Sequence, residues 1–418
     1  MPFCDVRESN GMRIFYRRYG HGSTKVLLII GLAGTHDSWG PQIKGLTGAV
    51  EPNDDESESE SESAAAVGGG SDGHDEEGQV EVEGIEVCCF DNRGMGRSTV
   101  PTNKSEYTTT IMARDALALL DHLGWKKAHV FGHSMGAMIA CKLAAMAPDR
   151  LCSLALLNVT GGGFECFPKI DRQMMSLAFR FLRAKTPEER AVVDLETHYT
   201  KEYLDEYVGS CTRRSILYQQ YVKAISSTGM QSNYGFEGQV NACWTHKMTA
   251  KELDTIRSSG FPVSVIHGRY DIIAQLYHAR RLAERLYPAA RMVELHGGHL
   301  VSHERPDEVN LALLDLIRAS KAKLKEQEWA CLPERESGWL ILGMPISLSI
   351  RNNEGAIGLV TVYNLLGKLQ LSFLYFIGIF VMGFEHMRNV MRIMKPVRVA
   401  AIESQAELLC DKHISATS

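Results

Sequence analysis

The sequence predicts an α/β protein: a mostly parallel sheet of about eight strands covered by helices, with a helical cap and an extra C-terminal apolar tail. Two patterns point to the sheet. Short apolar runs without polar alternation recur along the chain, as expected of strands buried on both faces, and helical stretches separate them. A third pattern points to the cap, because residues 164–255 carry helical patterns between two strands and no clear strand of their own.

Taken in order, "MRIFYRRYG" (12–20) is expected to be an antiparallel strand at the sheet edge. "KVLLIIGL" (25–32), "IEVCCFD" (85–91), "KAHVFGH" (127–133), "LCSLALLNV" (151–159), "PVSVIHG" (262–268) and "RMVELHG" (291–297) follow as buried strands. Helical stretches such as "IMARDALALLDHLG" and "YHARRLAERLY" lie between them. The expected organisation is a first core segment (1–163), the cap (164–255), a second core segment (256–326) and a tail (327–418). Residues 49–84 interrupt the first segment with almost no apolar content, which predicts a disordered surface insertion.

In the tail, Leu371 to Phe384 contains Ser372 as its one polar residue but is shorter than the roughly 20 residues a spanning helix needs. Extending it to 359–384 gives the length and brings in Asn364, Lys368 and Gln370. Arg388, Arg392, Lys395 and Arg398 follow, as suits a segment held beside an anionic leaflet. The sequence therefore predicts membrane association through this tail, either spanning or lying in the interface.

The formal charge of −5 is unevenly spread. Residues 51–86 hold fourteen acidic and no basic residues, so the rest of the chain has 45 basic against 36 acidic, or +9. No block of Lys and Arg is interleaved with aromatics, which argues against nucleic-acid binding. The ten cysteines show no metal-type spacing and read as free thiols in a reducing compartment. The start, "MPFCDVRESNG", lacks the pattern of a secretory signal, so a cytoplasmic core is expected. Neither a metal nor a cofactor is called for.

The chemistry concentrates in "GHSMG" (132–136), where a strand turns sharply into a helix around Ser134. A serine is a weak nucleophile until a base takes its proton and donors stabilise the resulting oxyanion. Such a turn holds the hydroxyl out beside the first N–H groups of a helix and needs small neighbours. The partners should follow in the order acid, then histidine. Asp271 comes just after "PVSVIHG" and His299 just after "RMVELHG". Asp254, Glu237, His296 and His303 are the competing acids and histidines. The Gly-rich "IIGLAGTHDSW" (29–39) offers the backbone N–H of Leu32 as an oxyanion donor.

"GHSMG", "FDNRGMGRS" (90–98), "HGRYD" and "GGHLVSHERP" together resemble the α/β-hydrolase superfamily over residues 12 to about 325. The resemblance implies Ser134 as nucleophile, His299 as general base, Asp271 as the acid that orients it, and the amides of Leu32 and Met135 as the oxyanion hole. Ile30 stands where many members carry His. Asp91 and Arg93 are expected to pin the "DNRGMGRS" loop. The cap's Phe164, Phe167, Met174, Met175, Phe179, Phe181, Tyr199, Tyr203, Tyr218 and Tyr221 are expected to form mostly helix-packing core, with some facing the serine. The expected function is a serine hydrolase cleaving a small-molecule ester, thioester or lactone with an apolar portion. A slow-turnover receptor, an acyltransferase and a membrane-tethered interaction protein are the rivals. Oligomeric state is not legible.

Overall fold

Uninterrupted apolar strands are best satisfied in the middle of a covered sheet, and five of the six expected there lie there; the sixth, Ala290–Leu295, is the strand at the far edge and is only half-buried. The computed structural model describes residues 2–6, 11–53, 84–169, 171–228, 231–332 and 378. The chain divides into two compact units, Met1–Arg335 and Glu336–Ser418, and all elements named here belong to the first. Apart from Gly378, the candidate membrane segment at 359–384 lies outside the described residues, as does most of the acidic insertion. Among the described residues no helix is long and apolar enough to cross a membrane.

Ten strands are described: β1 (Phe3–Asp5), β2 (Arg13–Tyr19), β3 (Thr24–Ile29), β4 (Ile85–Phe90), β5 (Ala128–His133), β6 (Leu151–Leu157), β7 (Tyr207–Val208), β8 (Cys211–Thr212), β9 (Val263–Gly268) and β10 (Ala290–Leu295). Eight form one sheet in the order β1-β2-β4-β3-β5-β6-β9-β10. The pairs from β4 to β10 are parallel, while β2 runs antiparallel to both β1 and β4. β2 is therefore not the edge strand expected from the sequence, because β1 lies outside it. A three-residue strand is too short to show a periodicity.

The helices are α1 (Gly40–Thr47), α2 (Thr109–His122), α3 (Met135–Met146), α4 (Arg172–Arg183), α5 (Pro187–His198), α6 (Lys201–Asp205), α7 (Arg213–Thr228), α8 (Asn233–Thr245), α9 (Ala250–Arg257), α10 (Leu276–Leu286), α11 (Val301–Glu304), α12 (Pro306–Lys321) and α13 (Glu326–Trp329). Their starts follow local chemistry. Thr108 caps α2 by accepting from the Ile111 amide, and Thr186 with Glu189 forms a capping box on α5.

One core packs α2, α3, α9 and α10 on one sheet face, through residues such as Met112, Ile139, Ile256 and Leu282. The other packs α1 and α12 on the opposite face, through Ile43, Leu313 and Leu316. Adjacent Cys88 and Cys89 fall in different cores, as the two-residue period of a strand requires.

Between β6 and β9 stand the helices α4 to α9, together with the small hairpin β7–β8, which the sequence did not announce. Gly209 turns that hairpin at φ 64°. The apolar residues of this region are not mostly core. Phe164, Met175 and Phe179 are more than half exposed, and Phe167 is also exposed. α4 is apolar over a wider arc than its neighbours cover, burying Leu177 and leaving Met175, Phe179 and Leu182 outside.

Candidate active site

The parallel strands point their C-terminal ends the same way, and loops leaving four of them meet there. β5 ends at His133, and Ser134 enters α3 with φ 54° and ψ −120°, a conformation costly for a residue with a side chain. The strain is held by close packing on both sides. A Cβ at Gly132 would stand 2.3 Å from the Gly136 carbonyl oxygen, and one at Gly136 would stand 2.0 Å from that of Ile29. Only glycine lets the strand, the turn and the helix come this close. The Ser134 amide donates to Leu157 O at 2.8 Å, tying the turn to the end of β6.

His299 follows β10 and Asp271 follows β9. His299 Nε2 lies 3.0 Å from Ser134 Oγ, and its Nδ1 lies 2.8 Å from Asp271 Oδ2. With Nδ1–H donating to the carboxylate, Nε2 is left to accept the serine proton. Both side chains are buried, and Ser134 is partly open. Asp271 Oδ1 accepts from the amides of Ile273 and Ala274, each at 2.8 Å, and Oδ2 also accepts from Asn158 Nδ2 at 2.7 Å. Burial pushes the Asp271 carboxyl up, but the facing His299, then His267 and the Asn158 hydrogen bond, prevail and hold it at about 2.

The loop carrying His299 is clamped on three sides. His133 Nε2–H donates to His299 O at 2.8 Å, and burial above all lowers His133 to about 3, so its ring is neutral. The Leu300 amide donates to His198 O at 3.0 Å. Buried Glu304 accepts from the Gly298 amide (2.8 Å), the Thr200 amide (3.0 Å) and the Thr200 hydroxyl (2.6 Å). Asn158, His198, Thr200 and Glu304 were not singled out in the sequence. Asn158 alone left a signal, since it stands at a strand end like Asp271.

The competing residues lie elsewhere. His303 is held between the Tyr199 hydroxyl and Ser38 O, and His296 packs against Tyr270. Asp254 pairs with Arg257, and Glu237 with Lys104. Asp91 and Arg93 do pin their loop, each through a separate partner. Asp91 accepts from the His36 and Arg97 amides, and Arg93 makes a two-pronged pair with buried Asp115.

For the oxyanion loop, a Cβ at Gly31 would come within 3.0 Å of Ser134 Cβ, so Leu32 sits one residue from a direct approach to the serine. Met135 opens α3, where N–H groups lack partners within the helix. Among the described residues neither the Leu32 nor the Met135 amide donates to another protein atom. Of the cap residues, Met174 lines a cavity of about 250 Å³ together with Asp271, Ile272 and Leu276. Among the described residues no group of three or more His, Cys, Asp or Glu could hold a metal ion.

Residues 25–306 match the family described as alpha/beta hydrolase fold. The chain belongs to that family. It is 29% identical over 242 residues to the "Putative non-heme bromoperoxidase BpoC" of Mycobacterium tuberculosis, covering 57% of this chain and 85% of that protein. Among solved structures, this α/β hydrolase superposes on the enol-lactonase from Burkholderia xenovorans with a TM-score of 0.55 and 22% identity, over 76% of this chain and 100% of that one. An esterase from Exiguobacterium antarcticum gives a TM-score of 0.54 at 16% identity, over 76% and 99%. At such identities these two structures speak for the fold.

Proposed function

We propose that this α/β hydrolase is a serine hydrolase that cleaves a small-molecule ester, thioester or lactone with an apolar portion through an acyl-enzyme. The observation that carries the reading is one histidine bridging a strained, partly open serine and a buried carboxylate. In this mechanism Ser134 Oγ attacks the acyl carbon while its proton passes to His299 Nε2. The tetrahedral oxyanion is held by the amides of Leu32 and Met135. Collapse expels the alcohol or thiol, which takes the proton from His299 and leaves the acyl group on Ser134. Water then attacks the acyl carbon, giving its proton to His299. The second tetrahedral species releases the acid, and the proton returns to Ser134 Oγ. Asp271, ionised at neutral pH, orients His299 and offsets the imidazolium charge.

The test is Ser134→Ala. It should abolish both turnover of an ester panel of graded chain length and labelling by a fluorophosphonate probe; persistent labelling of that variant refutes the reading. The sequence's expectation of a tail that holds a cytoplasmic core to a membrane is part of the proposal. A full-length protein recovered wholly in the soluble fraction at low salt would remove it.

A further inference from the structure

The loop that would form half of the oxyanion hole, Ile30 to Gly34, lies outside helix and strand and is closed by one turn, in which the Gly34 amide donates to Gly31 O at 3.4 Å. Ala33 sits at φ 59°, a region unfavourable for a residue with a side chain. Two contacts bracket Leu32. On one side, Asn92 Nδ2 donates to Ile30 O at 2.7 Å. On the other, the Ala33 amide donates to Gln239 Oε1 at 2.9 Å. Gln239 comes from α8, more than two hundred positions away in sequence, and its side chain is fully buried.

The orientation of this amide is decided by fixed backbone groups. Oε1 must face the Ala33 N–H, and Nε2 must face a carbonyl, which is Arg93 O at 2.9 Å. Gln231 Nε2 donates both to Gln239 Oε1 at 3.1 Å and to Gly94 O at 2.9 Å. α8 can reach so deep because it lies against the 93–94 backbone. A Cβ at Gly235 would stand 2.0 Å from Gly94 O.

We infer that Gln239 is a positioning residue for catalysis: it fixes the Ala33 amide, and through it the direction of the neighbouring Leu32 N–H. The position of a residue so distant from the nucleophile in sequence matters because an oxyanion donor works only when aimed before the charge develops. Displacement by about 1 Å is enough to cost up to about a hundredfold in rate. Without Gln239 the Asn92 bond and the 31–34 turn remain, but among the described residues no other group accepts from the Ala33 amide. Gln239 has this role in catalysis only if Ser134 is the nucleophile, as proposed.

The experiment compares native protein with Gln239→Met, which keeps the shape and removes all three hydrogen bonds, and Gln239→Glu, whose protonated form keeps an acceptor for Ala33 and turns an O–H toward Arg93 O. Three quantities are read: kcat and KM for a short-chain p-nitrophenyl ester, Ki for a trifluoromethyl ketone, and amide exchange in residues 30–36. The ketone forms a hemiketal whose oxyanion needs the hole, whereas ground-state ester binding does not. The expected result for Gln239→Met is a fall in kcat of about 10- to 100-fold, a Ki weakened by a similar factor, a KM within about threefold, and faster exchange at Ala33. Gln239→Glu should keep most of the native kcat and Ki. Unchanged kcat and Ki in Gln239→Met overturn the inference, as does a folded Gln239→Glu as impaired as the Met variant. If Gln239→Met does not fold, Gln239→Glu decides alone. Absence of Ser134-dependent activity in the native protein defeats the hydrolase reading instead, and amide exchange still tells whether Gln239 holds the loop.

Discussion

At the scale of single residues, Asp271 shows how hydrogen bonds fix chemistry. Asp271→Asn looks conservative, yet the Ile273 and Ala274 amides both need an acceptor at Oδ1. The carbonyl of the asparagine must stay there, which turns its NH2 toward Asn158 Nδ2 and His299 Nδ1, donors against donors. His299 would have to take the other tautomer, with Nε2–H pointing at Ser134 and unable to accept its proton. The expected loss in kcat is about a thousandfold or more, with little change in KM for esters. Steady-state kinetics check this, and a variant retaining a tenth of native kcat would contradict it. Ser134, Asp271 and His299 were legible beforehand because each is a polar residue just past an apolar strand. Gln239 and Glu304 were not: they sit within helices, where a glutamine or glutamate is ordinary, and only the folded chain shows them buried against distant backbone.

Among elements, the cap and the histidine loop are joined by a small number of buried polar contacts. Thr200, just before α6, gives Glu304 the one hydroxyl donor on its Oε2. Thr200→Val keeps the shape, leaves a buried carboxylate oxygen without that bond and removes the cap of α6, where Thr200 Oγ1 accepts from the Tyr203 amide at 3.3 Å. The cost should be about 1–3 kcal/mol, seen as a drop of several degrees in Tm. Glu304→Gln should cost less, because its Oε1 can still serve the Gly298 and Thr200 amides while its new NH2 faces the Thr200 hydroxyl. Equal Tm values for native protein and Thr200→Val would show that the contact carries no stability. The central strands and their parallel order were readable from runs of apolar residues. The edge strand β1 and the hairpin β7–β8 were not, since pieces of three and two residues have no period to detect. The exposed side of α4 also escaped notice, because an apolar residue in a sequence carries no mark of whether a neighbour covers it.

For the whole molecule, the response to acid follows from histidines folded in their neutral form. Burial above all lowers His129 to about 4, His133 to about 3 and His246 to about 3. Unfolded, each would titrate near 6.5. Between the folded and unfolded values the unfolded chain binds more protons, so acid favours unfolding. The stability these rings contribute is complete above pH 6.5 and is lost as pH falls toward their folded values. Each loses about 1.4 kcal/mol per pH unit once below 6.5. Three together approach about 6 kcal/mol by pH 5, a large part of a typical stability of about 5–15 kcal/mol. Urea midpoints at pH 7, 6 and 5 should therefore fall steadily. A flat profile over that range would mean the three rings are not excluded from protonation.

The acidic segment has its own logic at this scale. It departs at Asn53, whose side chain donates to Gly20 O at 2.6 Å, and it returns at Gly84, whose carbonyl accepts from the Thr24 amide at 3.3 Å. Both ends are thus fastened to one turn, at the start of β3, while Ser134 stands past the far end of the neighbouring β5. The fold meets this segment as a doorway with fixed posts on the side of the sheet away from the serine. A visiting domain whose own termini lie close together could be housed there, and the chemistry at the opposite edge would not register its arrival.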